Sequence, residues 1–212
     1  MPINHKHKCI FVHIPKTGGS SMECVLGMLP PNELYGFEDY NGTKFDNSVG
    51  IQMASKGAKL KCLQHLGAHQ IMERYSLDIW GSYFKFAFVR NPFDLVVSNY
   101  NYVLQKRKDL HKRYSLTENM SFEDFLKSDI YKIKQKNYVC NKNGEIILDF
   151  IGRYENIVDD FRYVCKKIDL GFQLPKINES KRKDYREYYS KETKEIVEKT
   201  YKDDIELFKY EF

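Results

Sequence analysis

In the stretch FVHIPKTGGSS (11–21) an apolar run gives way to a lysine, a threonine, two glycines and two serines. Those residue types can hold an anion. Gly18 and Gly19 let a backbone approach closely, Ser20 and Ser21 offer hydroxyls, and Lys16 brings charge to the start of the turn. In a strand–loop–helix unit the loop N–H groups and the helix start converge on one point and favour negative charge there. The ATP-binding loop G-x-x-x-x-G-K-[ST] uses similar ingredients, but its lysine follows the last glycine. Here the lysine precedes the glycines and the six-residue span is absent. The simpler alternative is a glycine-rich turn with a solvated lysine.

A second constellation lies in FAFVRNPFDLVVSNY (86–100). Arg90 stands at the C-terminal end of a predicted buried strand, where open α/β sheets bind ligands. Ser98 falls outside the apolar set Phe93, Val96, Val97, Tyr100 and Leu104 on the following helix. An arginine fork with a hydroxyl suits a phosphate. The competing reading pairs Arg90 with Asp94 and leaves Ser98 solvated.

The elements that must position these residues are legible from periodicity. Strands are expected at KCIFVHI (8–14), LKCL (60–63) and YFKFAFV (83–89), and GEIILDFIG (144–152) reads as a strand or hairpin arm. A helical face at Met22, Val25, Leu26 and Leu29 should stop at Pro30-Pro31. Further helices are expected at Ala68–Tyr75, after Arg90, at Ile157–Ile168, and at Ile196–Tyr201; Ser121–Asp124 carries an S-x-x-[DE] cap. Residues 32–59 and 105–120 read as surface excursions, and 176–190 as a basic loop. Strands alternating with helices predict α/β architecture, a central mainly parallel sheet flanked by helices, in one domain over 1–212.

Bulk properties narrow the function. The 34 Lys and Arg residues are nearly matched by 29 Asp and Glu, for a net charge of +5. That balance argues against a nucleic-acid coat and for a local basic pocket. Cys9, Cys24, Cys62, Cys140 and Cys165 show no metal-ligand spacing and read as reduced, mostly buried thiols. No window approaches the roughly 20 apolar residues of a membrane span. The expectation is a cytoplasmic chain, or an excised lumenal catalytic domain if a native anchor precedes it.

Together these residues resemble a family. FVHIPKTGGSS resembles the 5′-phosphosulfate loop of sulfotransferases, and FVRNPFDLVVSNY (88–100) resembles their 3′-phosphate motif. KQKNYVCNKNGEIILDFIGRYENIVDDF (134–161) is similar to the family-2, carbohydrate branch. The resemblance implies a P-loop-like sulfotransferase fold that binds 3′-phosphoadenosine 5′-phosphosulfate (PAPS) and releases adenosine 3′,5′-bisphosphate, with no metal required. It implies that Lys16, Thr17, Gly18, Gly19, Ser20 and Ser21 hold the 5′-phosphosulfate, and Arg90 and Ser98 the 3′-phosphate. A later basic loop usually adds an adenine wall and 3′-phosphate contacts, here Lys181, Arg182 and Tyr185. The family places Arg153, Tyr154 and Glu155 near the cofactor; the plainer reading is a buried Arg–Glu pair fixing a turn. Gln135 is a candidate substrate contact.

The acceptor hydroxyl then needs a base. His65, in KCLQHLGAH (61–69), is suited because an ordinary imidazole pKa of about 6.5 accepts a proton near neutrality. Some relatives write Lys-His where this chain has Gln64-His65. His69, Glu23 and Glu73 are alternative bases, His13 reads as a core or edge residue, and His5, His7 and His111 as incidental. The expected acceptor is a glycan or sugar-containing metabolite, on which Tyr35, Phe37 or Tyr40 could stack; a peptide tyrosine also offers a hydroxyl. Two rivals stand beside this reading: an atypical ATP- or GTP-dependent phosphotransferase, and a non-catalytic module that binds anions or glycans. None of these patterns encodes an oligomeric state.

Overall fold

A computed structural model describes residues 3–28, 65–106, 120–128, 130, 132–172 and 182–212. In chain order its strands are β1 (Ile3–Asn4), β2 (Cys9–Val12), β3 (Phe84–Val89) and β4 (Phe150–Arg153). Its helices begin with α1 (Gly19–Val25), α2 (Ala68–Met72), α3 (Leu77–Ser82), α4 (Pro92–Lys106) and α5 (Phe122–Lys127). They continue with α6 (Lys136–Val139), α7 (Ile157–Lys167), α8 (Lys191–Thr200) and α9 (Lys202–Phe208). The chain divides into two compact units: Met1–Val89 with Asn137–Asn178, and Arg90–Lys136 with Glu179–Phe212.

The first unit holds the sheet, in the order β1-β2-β3-β4. β1 runs antiparallel to β2, while β2, β3 and β4 are parallel. All of β2 and nearly all of β3 are buried, as in parallel strands covered on both faces. The period of two along each strand sends Cys9, Phe11, Phe86 and Phe88 into one core with Met22, Leu26, Phe161, Val164 and Cys165. Lys85 interrupts the apolar run; its ammonium is answered by Asp149 at 2.8 Å and by the carbonyls of Tyr83 and Trp80.

One local expectation is corrected. α1 stops at Val25, ahead of the prolines, because Gly27 adopts φ +66° and closes a Schellman cap. In that cap Gly27 N–H donates to Cys24 O and Met28 N–H to Glu23 O. Both readings of GEIILDFIG hold in part: Ile146 pairs antiparallel with Cys140 as a hairpin arm, and the end of the stretch joins the sheet as β4. The strand expected at 60–63 lies outside the described residues.

The second unit is helical. Phe93, Val96, Val97 and Val103 of α4 pack against Phe122, Phe125 and Leu126 of α5 and against Val197 and Tyr201. Ser121 caps α5 as its signature predicts, its hydroxyl accepting from Asp124 N–H at 3.1 Å. Phe93 and Phe122 meet the Tyr189 ring edge-on at 5.7 and 5.0 Å.

Among the described residues no helix is long and apolar enough to cross a membrane. None of their His, Cys, Asp and Glu side chains form a group that could hold a metal ion. Cys9, Cys140 and Cys165 are buried free thiols, and burial pushes the Cys9 thiol up to about 12, which makes it inert.

Candidate active site

The loop between β2 and α1 turns on two left-handed residues, Lys16 at φ +69° and Gly18 at φ +83°. The first is uncommon for a side chain with a Cβ, and such backbone strain collects at functional sites. Thr17 is buried, and its hydroxyl proton is committed to Ile14 O at 2.8 Å. Lys16 and Ser20 are half-exposed and Ser21 is buried.

The two glycines are required by protein neighbours. A Cβ on Gly18 would lie 2.6 Å from Ile157 Cδ1, and one on Gly19 would lie 2.1 Å from the His13 ring. That ring is stacked on Phe11 and held 2.9 Å from the buried Glu23 carboxylate, off the line of an N–H hydrogen bond. It has little room to retreat. Gly19→Ala is therefore expected to destabilise the fold by about 1–3 kcal/mol, read as a lower urea midpoint at unchanged slope.

His65 stands against the same cluster, its ring edge-on to His13 at 4.6 Å between centroids. Its Nδ1 donates to His13 O at 3.1 Å. Because a carbonyl oxygen only accepts, Nδ1 carries the proton and Nε2 of the neutral ring keeps its lone pair. Burial, and then the neighbouring His13, push the imidazole from an ordinary 6.5 down to about 4. His65 is thus neutral at pH 7, but a weaker base than an ordinary histidine.

The alternative bases are placed differently. Glu23 is 1% exposed and faces His13. Glu73 is exposed and bonded to Lys142 at 3.0 Å, and that ammonium holds its carboxyl below the usual range. His69, on α2, lies 3.4 Å from Glu73, the residue that caps the end of that helix. His5 meets the Tyr83 hydroxyl and His7 the Ile168 carbonyl. Arg153 and Glu155 are exposed, so no buried Arg–Glu pair fixes that turn; Asp160 does, accepting the Arg153 N–H at 2.6 Å.

In the second unit the competing reading of Arg90 is half right. Arg90 does pair with Asp94, through Nε at 2.7 Å and Nη2 at 2.6 Å. Arg182 binds the other oxygen of the same carboxylate. The two guanidinium side chains are only 6% and 12% exposed, so two buried cations share one anion. Arg182 Nη1 is buried with no hydrogen-bond partner among the described residues. Ser98 is buried as well, one helical turn beyond Asp94 on the same side of α4.

Tyr185 begins a 3₁₀ turn and packs edge-on to Phe212 at 5.8 Å, with Arg186 over its ring. Lys181, Gln64, His111, Tyr35, Phe37 and Tyr40 lie outside the described residues. Gln135, expected as a substrate contact, is fully buried and bonded to the Arg90 backbone. Sequence reasoning passed over Asp204, which holds Gln135; a signal was present, since Tyr201, Asp204 and Phe208 share one buried helix face.

A family model described as "Sulfotransferase family" matches residues 1–211. An uncharacterized protein of Archaeoglobus fulgidus is 36% identical over 123 residues, which cover 56% of this chain and 96% of that protein. Carbohydrate sulfotransferase 11 of Rattus norvegicus and of Mus musculus are each 23% identical over 193 residues, covering 77% of this chain. The match takes in 51% of each rodent protein, so the chain spans about half the length of these relatives. No solved structure matches the chain.

Proposed function

The chain belongs to the sulfotransferase family, and from that premise we propose that it moves a sulfuryl group from PAPS to a hydroxyl of a carbohydrate acceptor. The proposed module is a single P-loop-like sulfotransferase domain over residues 1–212. The observation that carries this reading is the buried Arg182 donor beside Asp94, unpartnered among the described residues. Two buried guanidiniums share one carboxylate, and a buried donor on Arg182 is left for an anion to accept. PAPS has a 3′-phosphate to meet that demand, and ATP does not. The carbohydrate acceptor rests on the names of the two rodent relatives.

PAPS supplies a sulfuryl group on a phosphate leaving group and departs as adenosine 3′,5′-bisphosphate. In this scheme Arg90, Ser98, Arg182 and Lys181 hold the 3′-phosphate and Tyr185 flanks the adenine. Thr17, Gly18, Gly19, Ser20 and Ser21 cradle the 5′ end with loop N–H groups and hydroxyls. Lys16 neutralises charge that develops on the phosphate side of the breaking bond. His65 Nε2 takes the acceptor proton as its oxygen attacks sulfur in line. The scheme calls on no metal, and positioning with cation placement supplies most of the rate.

Calorimetry tests the reading. Adenosine 3′,5′-bisphosphate is expected to bind in EDTA at least about tenfold more tightly than ATP·Mg²⁺, since one charged hydrogen bond is at stake or more. Tight ATP·Mg²⁺ binding without bisphosphate binding overturns it in favour of a phosphotransferase. Bisphosphate binding without sulfuryl transfer to any of a panel of glycans favours the non-catalytic module.

A further inference from the structure

Beneath Arg90 lies a buried support that the reaction scheme leaves unused. The Gln135 side chain meets the Arg90 backbone twice. Arg90 N–H donates to Gln135 Oε1 at 2.8 Å, and Gln135 Nε2 donates to Arg90 O at 2.7 Å. A carboxamide thus does what a neighbouring strand does, pairing one residue's N–H and C=O together. Gln135 is 0% exposed, so without it both backbone groups of Arg90 would be buried and short of a partner.

Gln135 is itself held from α9. The N–H groups of Gln135 and Lys136 donate to the two oxygens of Asp204, at 2.7 and 2.8 Å. Asp204 is 1% exposed, and hydrogen bonds to a charged acceptor are among the stronger ones. Burial raises its carboxyl pKa, and the two N–H donors oppose that rise. Arg90 is therefore fixed at both ends, its backbone by Gln135 and its guanidinium by Asp94. A phosphate site needs donors held within about 0.5 Å of their working positions, which a loosely anchored arginine does not provide.

On the reading in which Arg90 holds the 3′-phosphate, we propose that Gln135, braced by Asp204, is the positioning residue for the 3′-phosphate arginine. It acts through Arg90 and touches no ligand. Asparagine, one methylene shorter, cannot span both backbone groups. Glutamate would set an oxygen against Arg90 O.

The test compares adenosine 3′,5′-bisphosphate with adenosine 5′-phosphate by calorimetry, in wild type and in Gln135→Met, with hydrogen exchange of the Arg90 amide followed in both. Wild type should prefer the bisphosphate by about tenfold or more. Gln135→Met should lose most of that preference while keeping its affinity for adenosine 5′-phosphate, and its Arg90 amide should exchange faster. General loosening of the fold would weaken both ligands together. A full preference retained in Gln135→Met, with the Arg90 amide deprotected, overturns the inference. If Gln135→Met does not fold, Asp204→Asn takes its place under the same criterion, because its NH₂ would face one of the two N–H groups. A wild type that binds both ligands alike overturns the 3′-phosphate reading itself, and the exchange experiment then still reports whether the clamp exists.

Discussion

His65→Ala is expected to lower kcat by about 10²–10⁴-fold, the usual contribution of a positioned general base, with bisphosphate affinity unchanged. The pH profile sharpens the prediction. A base must be deprotonated to act, so activity is lost as pH falls through its pKa. An ordinary histidine would place that loss near 6.5, whereas His65 in the free enzyme sits at about 4. The acid limb of kcat/KM should therefore lie near 4. An anionic ligand beside the ring favours the imidazolium, so the acid limb of kcat, which reports the loaded enzyme, should lie higher. Near-normal turnover in His65→Ala would move the role to His69 or a glutamate. A kcat/KM limb near 6.5 would show that burial does not lower the working base.

Lys16→Ala is expected to cost about 10²–10³-fold in kcat, the scale for removing one donor aimed at developing charge. Lys16→Gly separates this role from a structural one. Lys16 holds φ +69°, a conformation that costs an L-residue about 1–2 kcal/mol and glycine almost nothing. The glycine variant should unfold at higher urea than the alanine variant yet be as inactive. Recovery of turnover in step with stability would mean that the lysine serves the loop and not the reaction.

Local features were legible in the sequence where a few neighbouring residues decide them. The apolar run in YFKFAFV produced β3, the stripe after Arg90 produced α4, and Ser121 with Asp124 produced the start of α5. Where two local signals competed, the nearer one won. Gly27 ended α1 before Pro30 could, because a left-handed glycine closes a helix through its own N–H groups. The glycines of the loop were read for their effect on an anion; the fold adds a second demand, since a Cβ there would meet a histidine ring or an isoleucine methyl. Neither neighbour is identifiable from the loop's own order.

The sequence by itself determined the parallel α/β scaffold of the first unit and the two stretches whose residue types can hold an anion. Only the tertiary structure decided how the groups in those stretches are engaged. It put Asp94 between two arginines, turned Gln135 from a substrate contact into a backbone clamp, and chose which nitrogen of His65 keeps its lone pair. The physical reason is range. Strand alternation, helix stripes and caps act over two to four residues. The bonds that tune the site join residues 52, 69 and 88 positions apart, and their partners exist only once the chain has folded.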